Sequence, residues 1–238
     1  MSIPRFLMVF IPAFLIALIF TAPARLITPL LPPSSAQLSW AEPEGRLVSG
    51  MVPWLQWQEQ RIGPVKWQLA PIQAISGTPL ALQLEQPAAM SMNLGGSQEQ
   101  LRARNGEIEA RLSTLLLQMM GNSMGLDANI HISQIESLWT QGQCESLTGQ
   151  ARIDGWRGMD GFENIGEITA ELACAPNRVW LDVNPDNNIK LRGRIGIDTQ
   201  GRYRIDLRAN PPAGPLRQNF EALLGKPRGN EFIIQQRG

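Results

Sequence analysis

Histidine and tyrosine each occur once in the 238 residues, as His131 and Tyr203, and cysteine occurs twice, as Cys144 and Cys174. Such an inventory leaves few ways to activate a nucleophile or a metal-bound water. No Gly-x-Ser-x-Gly elbow, Walker loop or His-Glu-x-x-His pair is present. A zinc site needs more ligands than two cysteines and one histidine supply, and no Cys-x-x-Cys occurs. Neither a cofactor nor a catalytic or metal-binding residue is expected. An excess of charge is absent too: 21 basic residues balance 21 acidic ones, so no electrostatic footprint points to nucleic acid or another polyanion.

What is present begins with one long apolar run. From Phe6 to Ala24 the chain reads FLMVFIPAFLIALIFTAPA without a charge. At about 1.5 Å per helical residue this suffices to cross a bilayer core of about 30 Å. Arg5 before it places residues 1–5 in the cytoplasm and the remainder outside. The reading is a single transmembrane anchor over 6–24. A cleaved signal peptide is the competing reading, because TAPA offers small residues at its end. Either exports the body of the chain. Next comes LITPLLPPSSAQ, read as an extended Pro/Ser-rich spacer over 25–37, and then one exported domain over 38–238.

Export decides how the cysteines read. In an oxidising compartment Cys144 and Cys174 form a disulfide, whose closed loop contributes about 3.5 kcal/mol in the chain-entropy model. The strands Leu147–Trp156 and Ile165–Cys174, with Gly158 and Gly161 between them, predict a hairpin. The cysteines would close its open end, which requires a Cα separation below about 7 Å.

The fold class is mainly β. The 22 glycines and 18 prolines predict many turns, and alternation is the commonest pattern. Val65, Trp67 and Leu69 share a face, as do Leu80, Leu82 and Leu84, and Met90, Met92 and Leu94. Val179, Leu181 and Val183 do the same. A hairpin is predicted with Ile189, Leu191, Gly193, Ile195 and Ile197 on one face, a turn at 199–201, and Tyr203, Ile205 and Leu207 returning. Arginines on the other face, interleaved with Asp198 and Asp206, read as a solvated surface. Two short amphipathic helices are expected. In LSTLLLQMMG Ser113 can cap, and in PLRQNFEALLGK Gly225 can stop the helix before Pro227. A similar Trp, Ile-Gly and strand order after Trp54 and after Trp156 suggests a duplicated β unit. The expectation is a curved, mostly antiparallel sheet.

His131 alternates with Ile130 and Ile132, which puts it on the polar face of a strand as a surface residue. The acid pairs Glu107/Glu109 and Asp154/Asp160 could flank a glycosidic bond, but spacing alone does not establish the separation needed. Trp54, Trp57, Trp67 and Trp156 fall in or beside strands. They read either as sheet-packing groups or as an exposed interaction surface for a partner or lipid.

The ordered features resemble the type II secretion system protein N family. An apolar anchor is followed by Gly45-Arg-Leu-Val48-Ser-Gly50, where the family carries tryptophan at the Val48 position. Ile62-Gly63-Pro-Val-Lys-Trp67-Gln-Leu69 follows, then Cys144, Gly149, Trp156, Ile165-Gly166 and Cys174. Gly201-Arg-Tyr203 and Ala222-Leu223-Leu224-Gly225 come last. The resemblance implies a bitopic inner-membrane protein whose periplasmic β domain belongs to the machine that exports folded proteins across the outer membrane. It implies an accessory part with other secretion subunits as partners, and it brings no active site. An alternative from another class is a carrier shielding a lipid along an aliphatic sheet face.

Overall fold

Alternating apolar and polar side chains dominate the chain beyond the spacer, and in the computed structural model most of that alternation forms antiparallel strands. Residues 10–11, 14, 17–18, 20–30, 38–57, 60–70, 77–97, 99–120, 125–158 and 160–238 are described. They divide into two compact units, Met1–Gln86 and Pro87–Gly238. The sequence reading carried one β domain from 38 to 238, and the division falls inside that span.

In the first unit the described residues between 10 and 21 are helical. Phe10, Ile11, Phe14, Leu18 and Phe20 expose about half their surface. Among the described residues no helix is long and apolar enough to cross a membrane. Residues 1–5, and much of the expected anchor over 6–24, lie outside the described residues. The spacer departs from its expected extended form: Ala24–Leu30 is a 3-10 helix, with Ala24 buried, and 31–37 lie outside the described residues. The Leu47 amide donates to the Ala22 carbonyl at 2.8 Å, and Pro23 bridges to Arg46. Residues 22–24 are thereby tied to the strands that follow.

Those strands are β1 (Leu38–Trp40), β2 (Glu44–Gly45), β3 (Ser49–Val52), β4 (Leu55–Trp57), β5 (Gln60–Ile62), β6 (Val65–Leu69) and β7 (Leu80–Leu84). A small sheet runs β1-β4-β5, and the main pairing runs β2-β3-β6-β7. Register puts Val65 opposite Leu84, Trp67 opposite Leu82 and Leu69 opposite Leu80. The two alternating triplets read from the sequence therefore form one cross-strand apolar row. Trp67 also lies opposite Gly50, where an added Cβ would come within 2.4 Å of its ring. Glycine is what lets the indole lie flat on β3.

The second unit holds β8 (Ala89–Gly96), β9 (Gln100–Arg111), helix α1 (Leu112–Met120), β10 (Asp127–Thr140), β11 (Gln143–Arg157), β12 (Ile168–Ala175), β13 (Arg178–Val183), β14 (Arg192–Asp198), β15 (Tyr203–Ala209), helix α2 (Pro215–Leu224) and β16 (Phe232–Arg237). From β8 to β16 each strand pairs antiparallel with the next in the chain. A meander of this kind needs only short connections. Ile135, 7% exposed, fits beside Gly106, whose added Cβ would stand 2.8 Å from the Ile135 Cβ. The register of β9 and β10 shifts on either side of that contact.

The core sits at one end of the apolar face. Phe162, Ile165, Ile168, Ile189 and Leu216 are buried together, with Ile153, Trp156, Val183 and Phe220 packed against them. Burying each large side chain contributes roughly 1.5–3 kcal/mol. Helix α2 starts with Pro215 after Gly214 and stops at Gly225, whose φ is 81°. It delivers Phe220 between Phe162 and Phe232, at ring separations of 6.2 and 5.5 Å.

Three local expectations change. Ile165 ends a 3-10 turn, Phe162–Ile165, instead of opening the strand, which begins at Ile168. Ser113 does not cap α1: its hydroxyl donates to Asp127 Oδ1 at 2.7 Å, so the acceptor at the helix start comes from β10. Ile189 and Leu191 precede β14. There the Asn187 side chain donates to the carbonyls of Asn184 and Leu191 and accepts from the Leu191 amide, which pins a loop that drops Ile189 into the core.

Candidate functional site

The disulfide is formed. Cys144 and Cys174 stand 6.1 Å apart at Cα, within the limit set by the hairpin reading. The ladder between β11 and β12 is regular from Ile153–Ile168 to Gln150–Glu171 and then ends. Beyond it the Cys144 amide donates to the Pro176 carbonyl at 3.0 Å. The covalent bond thus holds the strand ends where the ladder no longer does.

Opposite the apolar face the second unit presents rows of polar side chains. One row reads Glu109, His131, Arg152 and Thr169 on successive strands, and another reads Glu171, Asp182, Arg194 and Asp206. Arg152 and Arg194 close in ion pairs, 3.2 Å from Asp154 and 2.9 Å from Asp182, and His131 Nδ1 lies 3.7 Å from Glu109. An open depression of about 840 Å³ lies over this region, lined by Glu109, His131, Arg152, Glu171 and Asp182 among others. His131 keeps 38% of its side chain exposed, and its neighbour is a still more exposed carboxylate. Among the described residues no group of three side chains is placed to hold a metal ion. Asp154, one of the candidate acids, accepts from Asn129 at 3.2 Å as well as pairing with Arg152.

Asp198 is the buried exception on this face. Its carboxylate accepts from the amides of Gln200 and Arg202 at 3.0 and 2.9 Å and from the Arg202 guanidinium at 2.8 Å. Arg178 approaches to 3.7 Å. Burial works to raise its pKa, but the Arg202 amide and guanidinium and the Gln200 amide outweigh it, and the pKa is lowered. Asp198 thereby builds the 199–201 turn that the sequence located without assigning its cause. Asp127 has a lowered pKa mainly because of the Ser113 hydroxyl, with burial opposing and Arg111 helping.

The four tryptophans are divided between the units. Trp67 donates from Nε1 to the Leu47 carbonyl at 3.0 Å and packs on Gly50. Trp156 packs against the core of the second unit. Trp54 is half-buried under the Arg61 guanidinium, 5.2 Å from its ring. Trp57 lies in β4, and its side chain is outside the described residues.

The apolar face is only partly covered. Leu172, Leu181, Ile195 and Ile205 occupy successive strands in one row and are all half-buried. In the adjoining row Ile197 is 52% exposed. Strand β16, which the sequence reading passed over, ends the sheet. Its apolar run Phe232-Ile233-Ile234, followed by three polar residues, was the available signal, and it shows no period-two alternation.

The sequence model of the family described as type II secretion system (T2SS), protein N matches residues 36–233. The chain belongs to the type II secretion system protein N family. No curated protein and no solved structure matched in the other two comparisons. Membership ties the chain to type II secretion, and so to an apparatus of the cell envelope. The structure gives the family-like positions physical roles. Gly45 and Gly50 flank the β2–β3 turn, whose Leu47 carbonyl receives the Trp67 indole. At Val48, where the family pattern has tryptophan, the backbone carbonyl accepts from Leu69 at 2.7 Å, a bond that does not depend on the side chain.

Proposed function

We propose that this chain is an accessory inner-membrane component of the type II secretion system. It acts through protein–protein contacts of a periplasmic β region, anchored by residues 6–24, and has no catalytic role. The observation that carries the reading is the family match, which extends over both compact units. Further support comes from the disulfide, which belongs to an oxidising compartment, and from the exposed apolar side chains of the described helical residues near the N-terminus. The attachment of Ala22 and Pro23 to the β2–β3 turn favours an anchor that is retained, since cleavage after TAPA would remove that contact. Trp54 is the tryptophan proposed to remain available to a partner. Deleting the gene should leave folded secretion substrates in the periplasm, with export restored by the full chain. Export unchanged by deletion would overturn the reading.

A second reading, a carrier of lipid or another hydrophobic ligand, draws on the open aliphatic row around Ile195 and Ile197. Native mass spectrometry of the full chain extracted in mild detergent would distinguish them. A stoichiometric acyl lipid that survives exchange into lipid-free buffer favours the carrier, and a bare chain favours the interaction component.

A further inference from the structure

Strand β16 ends the sheet of the second unit, and among the described residues no strand pairs with its outer side. Its hydrogen-bond phase follows from one pair: the Tyr203 amide donates to the Gly238 carbonyl at 3.0 Å, and the Gly238 amide donates back at 3.2 Å. Antiparallel pairs alternate between bonded and non-bonded. Along the register, Ile205–Gln236, Leu207–Ile234 and Ala209–Phe232 are therefore the bonded pairs. The amides and carbonyls of Ile233, Gln235 and Arg237 then point away from β15, toward the free edge.

This edge lacks several of the usual protections. It is six residues long, carries no proline or lysine, and pairs with β15 without a bulge. The two-residue β2, by contrast, ends its own pairing with Gly45 at a φ of 91°. Arginines outnumber carboxylates beside the β16 edge, where Asp206, opposite Gln235, and Glu231 are set among Arg192, Arg204, Arg208 and Arg237. Arg204 lies directly opposite Arg237, and Arg192 lies directly opposite Arg208. Like charges opposed across strands are unfavourable unless neutralised. Arg192 is neutralised by Glu231 at 2.7 Å, and Arg204 reaches Asp206 only at 3.9 Å. Among the described residues no carboxylate lies within ion-pair distance of Arg208 or Arg237.

We propose that β16 is a docking edge to which an extended, acidic segment of a partner protein adds as a further antiparallel strand. The open backbone groups of Ile233, Gln235 and Arg237 supply affinity, and Arg237 and Arg208 select carboxylates on the polar face. Adjacent strands lie about 4.8 Å apart, so the long Arg208 side chain reaches past Ile233 to the incoming strand. A second copy of β16 is a poorer occupant, because antiparallel self-pairing would bring two sets of arginines into one strip. The proposal rests on the reading of the chain as an interaction component and names the surface that would be used.

The test uses the full chain and three short soluble peptides, alternating valine with glutamate, glutamine or lysine. Binding is read by fluorescence anisotropy and by amide hydrogen exchange. The Glu peptide should bind, the Gln peptide more weakly and the Lys peptide not at all, with slowed exchange at Ile233, Gln235 and Arg237. Gln235→Pro removes an outward donor and leaves the backbone bonds to β15 in place, at the loss of the side-chain bond from Gln235 to Asp206, and it should weaken the Glu peptide roughly tenfold or more. Arg208→Glu with Arg237→Glu changes only surface side chains and should weaken it to a similar extent. That second variant keeps the test decisive if the proline variant fails to fold. Several results would overturn the proposal: no binding, equal binding of the three peptides, binding indifferent to the arginine variant, or self-association in sedimentation that Gln235→Pro abolishes. In cells, export lost on deletion but intact with both variants would overturn the edge while leaving the secretion role standing.

Discussion

Two residues show how local chemistry sets stability in this chain. Asp198 has a lowered pKa in the fold, so between its folded value and the ordinary carboxylate value near 4 it stays ionised while the unfolded chain binds a proton. Its stabilising contribution is complete above that ordinary value and is lost as pH falls through the folded one. Asp198→Asn keeps the shape but sets an amide against Arg202 and Arg178. Chemical unfolding at a series of pH values should show the variant well below the wild type at neutral pH, with the gap closing below about pH 4. Parallel profiles would mean that Asp198 is not ionised in the turn. Gly50 makes a steric point: an added methyl meets the Trp67 ring, and its other neighbour is the Glu44 carbonyl at 2.5 Å. Gly50→Ala should destabilise the first unit by about 1–3 kcal/mol and shift the tryptophan emission, because Trp67 must leave the Leu47 carbonyl.

At the scale of elements, what the sequence exposed and what it hid have different physical origins. Alternation placed β6, β7, β13, β14 and β15, because a half-buried strand must repeat every two residues. Gly225 before Pro227 marked the end of α2 for equally local reasons. The disulfide was legible because the expected export leaves two thiols few competing uses, and its hairpin supplied the geometry. Less local features escaped. Asp127 accepts from the start of α1 across 14 residues, and no capping pattern predicts an acceptor from the next strand. Ile165, the last residue of the 3-10 turn Phe162–Ile165, was read as the start of the strand because Ile165-Gly166 continues an apolar pattern; the core, not propensity, holds Ile165 there. Strand β16 was missed because six residues ending in polar side chains carry little periodicity, yet pairing with β15 is enough to fix them. The candidate docking edge is for that reason invisible in sequence: it depends on which backbone groups the register turns outward.

For the whole molecule, the division at Gln86–Pro87 separates regions of unequal burial. Of the buried hydrophobic residues among those described, only Ala24 belongs to the first unit, whereas Phe162, Ile165, Ile168, Leu216, Phe232 and the rest belong to the second. The second unit also holds the disulfide. Buried apolar area and a covalent closure both favour independent folding, so a fragment of residues 87–238 should fold alone and unfold cooperatively. In the full chain the more stable transition then belongs to this unit. Replacing both Cys144 and Cys174 by serine should lower that transition by about 2–4 kcal/mol, with little change in the transition of the first unit. Denaturant unfolding followed by near-ultraviolet circular dichroism, on the full chain and the fragment, provides the measurement. If the serine variant lowers both transitions equally, or the fragment is unfolded, the two units are not separate folding units and residues 38–238 act as the single β domain that the sequence suggested.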